Sequence, residues 1–234
     1  MVDFLHELYT NLKSTLPPPE KLICGQKYFA VTSSNGNLGV CANLKQPSSI
    51  AMQALYQPDF SNYYHRIAVN AWINSHVNYK HTYPEEIDIF EKISFKEYRS
   101  IVMIGFFESL ANKFNENRIP ITVFDLESTS ERITPIEKQQ EALSKADIVI
   151  TTSTTLANNT LPQIISWKSN NCKLLMLGPS TPLSSELAAA INAEYLFGAV
   201  FEPSPSAILE MIKNGAGTKA FLPYMKKVYL ATKK

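Results

Sequence analysis

From residue 101 onward, short apolar runs alternate with helix-length spacers: Ile101-Val102-Met103-Ile104, Ile121-Thr122-Val123-Phe124, Ile148-Val149-Ile150, Leu174-Leu175-Met176-Leu177 and Leu196-Phe197. Runs this short and this uniformly apolar are strands buried on both faces, an environment that a helix-covered parallel sheet provides. The spacers Ser109 to Asn117, Ile136 to Lys145, Asn158 to Lys168, Ser184 to Asn192 and Ser204 to Asn214 read as the covering helices. The expected class is α/β, with residues 95–234 forming a Rossmann-like three-layer domain on a mostly parallel sheet.

Residues 1–94 are patterned differently. Phe4, Leu5, Leu8, Tyr9 and Leu12 share one face of a short helix, which Pro17-Pro18-Pro19 ends. Asn35-Gly36 signals a two-residue hairpin turn. That register sets Ser34 opposite Asn37 and Ala30 opposite Cys41. Phe29, Val31, Leu38, Val40, Ala42 and Leu44 then form a core face, while Tyr28, Ala30, Thr32, Gly39, Cys41 and Asn43 form a face polar enough to border a cleft. A second helix runs from Tyr63 to Ile73, with Tyr64, Ile67, Ala68, Ala71 and Trp72 inward. The expectation is a small α+β domain over residues 1–94, with a junction in the charged, aperiodic stretch Glu85 to Lys96.

Charge and composition exclude some partners. With 22 Lys and Arg against 21 Asp and Glu, no positive excess exists to neutralise a phosphate backbone, which argues against nucleic acid. The start Met1-Val2-Asp3-Phe4 lacks a basic signal region and no apolar stretch is long enough to span a bilayer, so a cytoplasmic protein without a membrane partner is expected. The three cysteines are not paired in this reading. Cys24 falls six residues beyond Ala30 on one hairpin arm, about 20 Å from Cys41, out of disulfide or shared-metal reach. Cys172 reads as a small buried hydrophobe.

Open α/β sheets bind ligands beyond the carboxyl ends of their strands, where strand order reverses. Placing the first strand beside the third gathers three loops: Gly105-Phe106-Phe107-Glu108, the hydroxyl-rich Thr151-Thr152-Ser153-Thr154-Thr155 continuing to Asn158, and Gly178-Pro179-Ser180-Thr181-Pro182. Hydroxyls and the free N–H groups of following helices suit a polar or anionic ligand. The candidate ligand-binding residues are Gly105, Phe106, Glu108, Asp125, Ser153, Thr154, Thr155, Asn158, Gly178, Ser180 and Thr181. Helix capping competes for the same groups: Asn158 or Asn159 before one helix, and Ser180 or Thr181 before Pro182 in another.

Other constellations are weaker. Asp125 follows Gly105 by twenty residues, the offset of a ribose-binding acid, but Phe106 and Phe107 stand where glycines would admit a pyrophosphate. That argues against a dinucleotide and leaves Asp125 open to another polyol. His76 and His81, five apart, do not align on a helix. His65, beside Tyr63 and Tyr64, is a metal-ligand candidate, with a structural role as its alternative, and Glu108 or Asp125 could supply charge or a metal ligand instead. No nucleophile elbow or base-orienter pair supports a Ser-His-Asp enzyme. Asn70, an amide on an apolar helical face, reads as a structural hydrogen bond to a neighbouring loop, against a role in the cleft. Gly215-Ala216-Gly217-Thr218-Lys219 with Lys226-Lys227 reads as a flexible, basic, solvated tail.

The segments Met103-Ile104-Gly105-Phe106-Phe107, Val123-Phe124-Asp125, Ala146-Asp147-Ile148-Val149-Ile150-Thr151, Thr154-Thr155-Leu156 with Asn158 and Thr160, Leu177-Gly178-Pro179-Ser180-Thr181-Pro182-Leu183 and Ala68-Val69-Asn70-Ala71-Trp72-Ile73-Asn74 together resemble a family of bacterial and archaeal proteins known as "putative heavy-metal chelation" domains. The resemblance runs over nearly the full length. It implies an enolase amino-terminal-like domain packed on a Rossmann-like domain, with a site between them that handles a metal or a metal-binding compound. Ser153 and Asn159 depart from glycines of that family.

The expected function is binding or processing of a small anionic or metal-chelating molecule in an interdomain crevice, with a divalent metal ion as the implied cofactor. Two rivals stand beside it: a transferase or lyase acting on a nucleotide-like or phosphorylated substrate, with Asp125 on the polyol, and a non-catalytic interaction subunit. Catalysis and homo-oligomer formation are left open.

Overall fold

The structure, a computed structural model, describes residues 1–83, 88–201 and 205–232. The amino-terminal part runs α1 (Phe4–Leu12), β1 (Pro19–Cys24), β2 (Tyr28–Ser33), β3 (Leu38–Ala42) and α2 (Tyr63–Val77). It continues through α3 (Ile89–Lys92), β4 (Ile101–Ile104), α4 (Glu108–Glu116), β5 (Thr122–Phe124), α5 (Gln139–Lys145), β6 (Ile148–Thr152), α6 (Thr154–Ala157) and α7 (Leu161–Trp167). The remainder is β7 (Lys173–Leu177), α8 (Ser185–Ala190), β8 (Tyr195–Phe201), α9 (Pro205–Lys213), α10 (Thr218–Phe221) and β9 (Met225–Ala231).

The second sheet has the order β5-β4-β6-β7-β8-β9, parallel from β5 to β8 and antiparallel at β9. Ile148, Val149 and Ile150 are fully buried, as are Leu174 and Leu175, because helices cover both faces. The α/β class stands. Strand order reverses between β4 and β6, the first and third strands of this sheet.

The basic tail is a correction. Residues 225–231 form the edge strand β9, with seven residue pairs from Tyr195↔Ala231 to Phe201↔Met225. Lys226 and Lys227 resemble linker residues in sequence, yet charged side chains are a usual feature of exposed edge strands.

The hairpin also differs from expectation. Ser33 N donates to Asn37 O at 3.0 Å and Gly36 takes φ +81°, so the loop holds three residues, with Gly36 in the left-handed position. The extra residue shifts the register by one: Phe29 pairs with Cys41 and Ala30 with Val40. Phe29, Val31 and Cys41 therefore share the α2-facing core, while Tyr28, Ala30, Leu38 and Val40 pack with Ala199, Phe201, Ile208, Leu209, Ile212 and Phe221. Both faces of the paired strands are thus packed, and Leu44, expected on the core face, lies beyond β3 and is exposed.

β1 was absent from the sequence expectation. It pairs antiparallel with β2 and brings Cys24 opposite Phe29, whose other neighbour is Cys41. The two sulfurs thus sit two strands apart, about 10 Å, closer than expected yet beyond bonding distance. All three cysteines are free.

Helix α2 is buried all round rather than on one side, from Arg66 through Ser75. It lies between the three-stranded sheet and the loops of the larger one. Its asparagines, four residues apart on one face, stitch the two together. Asn70 Nδ2 donates to Ser180 O at 2.8 Å and Asn74 Nδ2 to Val40 O at 3.0 Å. Asn78 Nδ2 donates to Thr181 O and Ala199 O, both at 3.1 Å, and its Oδ1 accepts from Leu183 N at 2.7 Å.

Two helix starts moved. The helix expected from Asn158 is α7, which begins only at Leu161; a separate short helix, α6, forms within the hydroxyl-rich loop before it, and Asn159 at φ +58° divides the two. Pro182 lies outside α8, which begins at Ser185 with Ser184 accepting from Leu187 N. Residues 84–87 of the proposed junction, and Ser204 at the start of the last expected helix, lie outside the described residues; after the former, Asp88 caps α3 by accepting from Phe90 N at 2.9 Å. Among the described residues no helix is long and apolar enough to cross a membrane.

Candidate functional site

β4 ends at Gly105, whose φ of +92° strongly disfavours an L side chain and whose added Cβ would lie 2.7 Å from Thr152 Cγ2. The chain turns there and presents the amide of Phe106 to Asp125 Oδ2 at 2.6 Å. Asp125 Oδ1 accepts from Glu127 N at 2.8 Å and Ser128 N at 2.7 Å. One carboxylate thus clamps the loops that follow β4 and β5. A ribose would have to compete with three backbone amides for it.

Above this clamp lies a cavity of about 320 Å³ at the strand-order reversal. Phe106, Phe107, Leu126, Ile136 and Trp167 give it apolar walls, with Leu44 reaching in from the amino-terminal part. Its polar edge comes from Thr152, Thr154, Thr155, Asn158, Thr160, Gln139 and Gln163. Several of these groups are spent on local structure. Thr155 Oγ1 donates to Thr152 O at 2.7 Å, Thr152 and Thr154 share a hydroxyl contact at 3.1 Å, and Asn158 Oδ1 accepts from Thr160 N and Oγ1. The Asn158 amide N–H₂ and the side-chain amides of Gln139 and Gln163 have no protein partner among the described residues, which leaves donors and acceptors for a ligand.

The structure divides the sequence-derived candidates. Gly105, Phe106, Asp125, Thr154, Thr155 and Asn158 line the cavity. Glu108 is exposed in the first turn of α4, outside the lining, where an acid complements the helix dipole. Ser153, Ser180 and Thr181 are buried. Ser180 Oγ accepts from Ala42 N at 2.9 Å, so the Gly178 to Thr181 loop is held against β3 and α2. Gly178 itself lies beside Ser153 Oγ, and the hydroxyls of Ser153 and Thr181 are buried without a hydrogen-bond partner among the described residues. His65 Nδ1 accepts from Asp59 N at 3.0 Å, a loop-capping bond away from the cavity lining.

Sequence reasoning missed Trp167, Gln163, Gln139 and Leu44. Gln163 and Trp167 are four apart on α7, so they share a face beside the third-strand loop, a spacing visible in the sequence. It also missed Arg66. That buried guanidinium donates to Leu156 O and Ala157 O, both at 2.7 Å, and pairs with Asp3, tying α1 and α2 to the end of α6.

The residues do not fit a bare metal ion. Among the described residues no group of three His, Cys, Asp or Glu side chains converges. The cavity has only the clamped Asp125 and the exposed Glu127 as anionic donors, and no imidazole or thiolate of the sort that holds soft or borderline metals.

An open α/β sheet with a cavity at its reversal point defines a broad class of ligand-binding folds. Within it the chain belongs to the family described as DUF364, "Putative heavy-metal chelation", whose model matches residues 88–231. Two solved structures of that family are similar over the whole fold. One, a protein of unknown function from Pyrococcus horikoshii, is 19% identical, with TM-score 0.84, and the match covers 98% of this chain and 100% of the other. The second, of unknown function from Desulfitobacterium hafniense DCB-2, is 19% identical with TM-score 0.76, covering 97% and 98%. No curated protein sequence matches.

Proposed function

We propose that this protein binds a flat organic metal chelator, or the complex that such a chelator forms, in the cavity at the strand-order reversal. The observation that carries the reading is the lining. Aromatic and aliphatic walls with a hydroxyl and amide edge suit the ring system of an organic ligand, and a volume of about 320 Å³ suits a small one. The metal donors would come from the ligand, since the cavity offers few of its own. This reading reconciles the family's name with a site poor in metal-binding side chains. The hydroxyl-rich third-strand loop contributes Thr154, Thr155 and Asn158, while the Gly178 to Thr181 loop supports the site from behind.

Isothermal titration with 8-hydroxyquinoline, its zinc complex and zinc alone tests the proposal. Binding of either organic species, with no saturable binding of zinc alone, is the expected result. Stoichiometric zinc binding without the organic ligand would overturn it.

A further inference from the structure

Leu44 lines the cavity and also a second, open groove of about 600 Å³ bordered by Gln26, Lys27, Lys45, Gln46, Pro47 and Tyr64. The backbone that carries the two lysines is fixed by hydrogen bonds. Asn43, buried, accepts from Lys45 N at 3.1 Å and donates to Gln26 O at 3.1 Å, and its own N–H reaches Lys27 O at 2.9 Å. Lys45 Nζ lies 4.6 Å from the centre of the Tyr63 ring, whose hydroxyl accepts from Leu44 N at 2.8 Å. Neither lysine forms an ion pair with a described residue. Two cations without an acidic partner among the described residues thus flank the groove that adjoins an apolar cavity, whose lining acids are the clamped Asp125 and the exposed Glu127.

We infer that groove and cavity are two halves of one site, and that the ligand carries an anionic group, carboxylate or phosphate, on a tail that passes Leu44 to Lys27 and Lys45. This rests on reading the cavity as the seat of a flat organic body. The anion would be recognised in an open, solvated groove, so its contribution is modest and screened by salt.

Three probes separate the halves: 8-hydroxyquinoline bearing a pentanoic acid tail, the methyl ester of that acid, and the corresponding alkyl phosphate. In low salt the wild-type protein should bind the acid or the phosphate about fivefold more tightly than the ester, and the tighter of the two anions identifies the group. In the Lys27→Ala/Lys45→Ala variant this preference should vanish while ester affinity is unchanged; both lysines are exposed, and an unchanged melting temperature confirms folding. Equal binding of all three probes by the wild type overturns the anionic half and leaves the cavity reading intact. No binding of any probe overturns both.

Discussion

Asp125 Oδ2 accepts the amide of Phe106 at 2.6 Å, across the gap between two parallel strands. Because the same carboxylate also takes the amides of Glu127 and Ser128, it sets the shape of the cavity rather than offering a free charge to it. Asp125→Ala should leave three amides without their acceptor and cost about 2–3 kcal/mol of stability. Asp125→Asn keeps one accepting oxygen and should cost about half as much. Urea denaturation checks both, and titration with 8-hydroxyquinoline should show the same order in lost affinity.

The pairing of Arg66 with Asp3 gives a pH signature. Burial pushes the Asp3 carboxyl up, but the hydrogen bond and charge of Arg66 outweigh it and hold the group below the ordinary carboxylate value. A lowered native value means that the stabilisation is complete above about pH 4 and is lost as pH falls through that native value. Asp3→Asn should therefore destabilise by about 2 kcal/mol at pH 7, and the difference from wild type should shrink towards pH 2. Thermal melts over that range check it.

The parallel sheet was legible because the central residues of β4, β6 and β7 are buried on both faces and are apolar for that reason. β1 and β9 were not, since edge strands keep polar residues: Glu20 and Lys21 in one, Lys226 and Lys227 in the other. The hairpin failed by one residue because Asn-Gly fits both a two-residue turn and the end of a three-residue loop, and the sequence does not distinguish them. Hydroxyls marked the third-strand loop, where Thr154 and Thr155 line the cavity. They marked the fourth-strand loop for another reason, the contacts of Ser180 and Thr181 with β3 and α2. Composition alone cannot separate a ligand edge from a buried joint. Trp167 and Gln139 reach the cavity through tertiary packing of α7 and α5, which local pattern does not specify.

Asn78 makes three hydrogen bonds inside the core, joining α2 to β8 and to the loop after β7. Asn78→Ala should cost about 3 kcal/mol, because two carbonyls and one N–H remain buried without it. Asn78→Asp should cost more, since a carboxylate would face two carbonyl oxygens. Chemical denaturation of both variants checks the order.

Thiol reactivity should follow burial. Burial raises the Cys41 and Cys172 thiols to about 11 each, with Asn70 and Ser180 opposing the shift at Cys41. Cys24 is partly buried, more accessible than the other two, and also raised by burial. Labelling with a chromogenic disulfide reagent at pH 8 should modify Cys24 first, with Cys41 and Cys172 reacting only after denaturant is added. Peptide mapping of the labelled protein checks the sequence of reaction.

Trp167 lines the cavity, whereas the other tryptophan, Trp72, is buried against α1 and donates to Pro17 O. Fluorescence titration with 8-hydroxyquinoline, run on the wild type and on Trp167→Phe, therefore reports occupancy of the cavity directly. Saturable quenching in the wild type that is largely abolished in Trp167→Phe, together with unchanged affinity for a Lys27→Ala control, is the predicted result. Saturable binding by calorimetry with no change in Trp167 emission would place the ligand elsewhere and contradict the account.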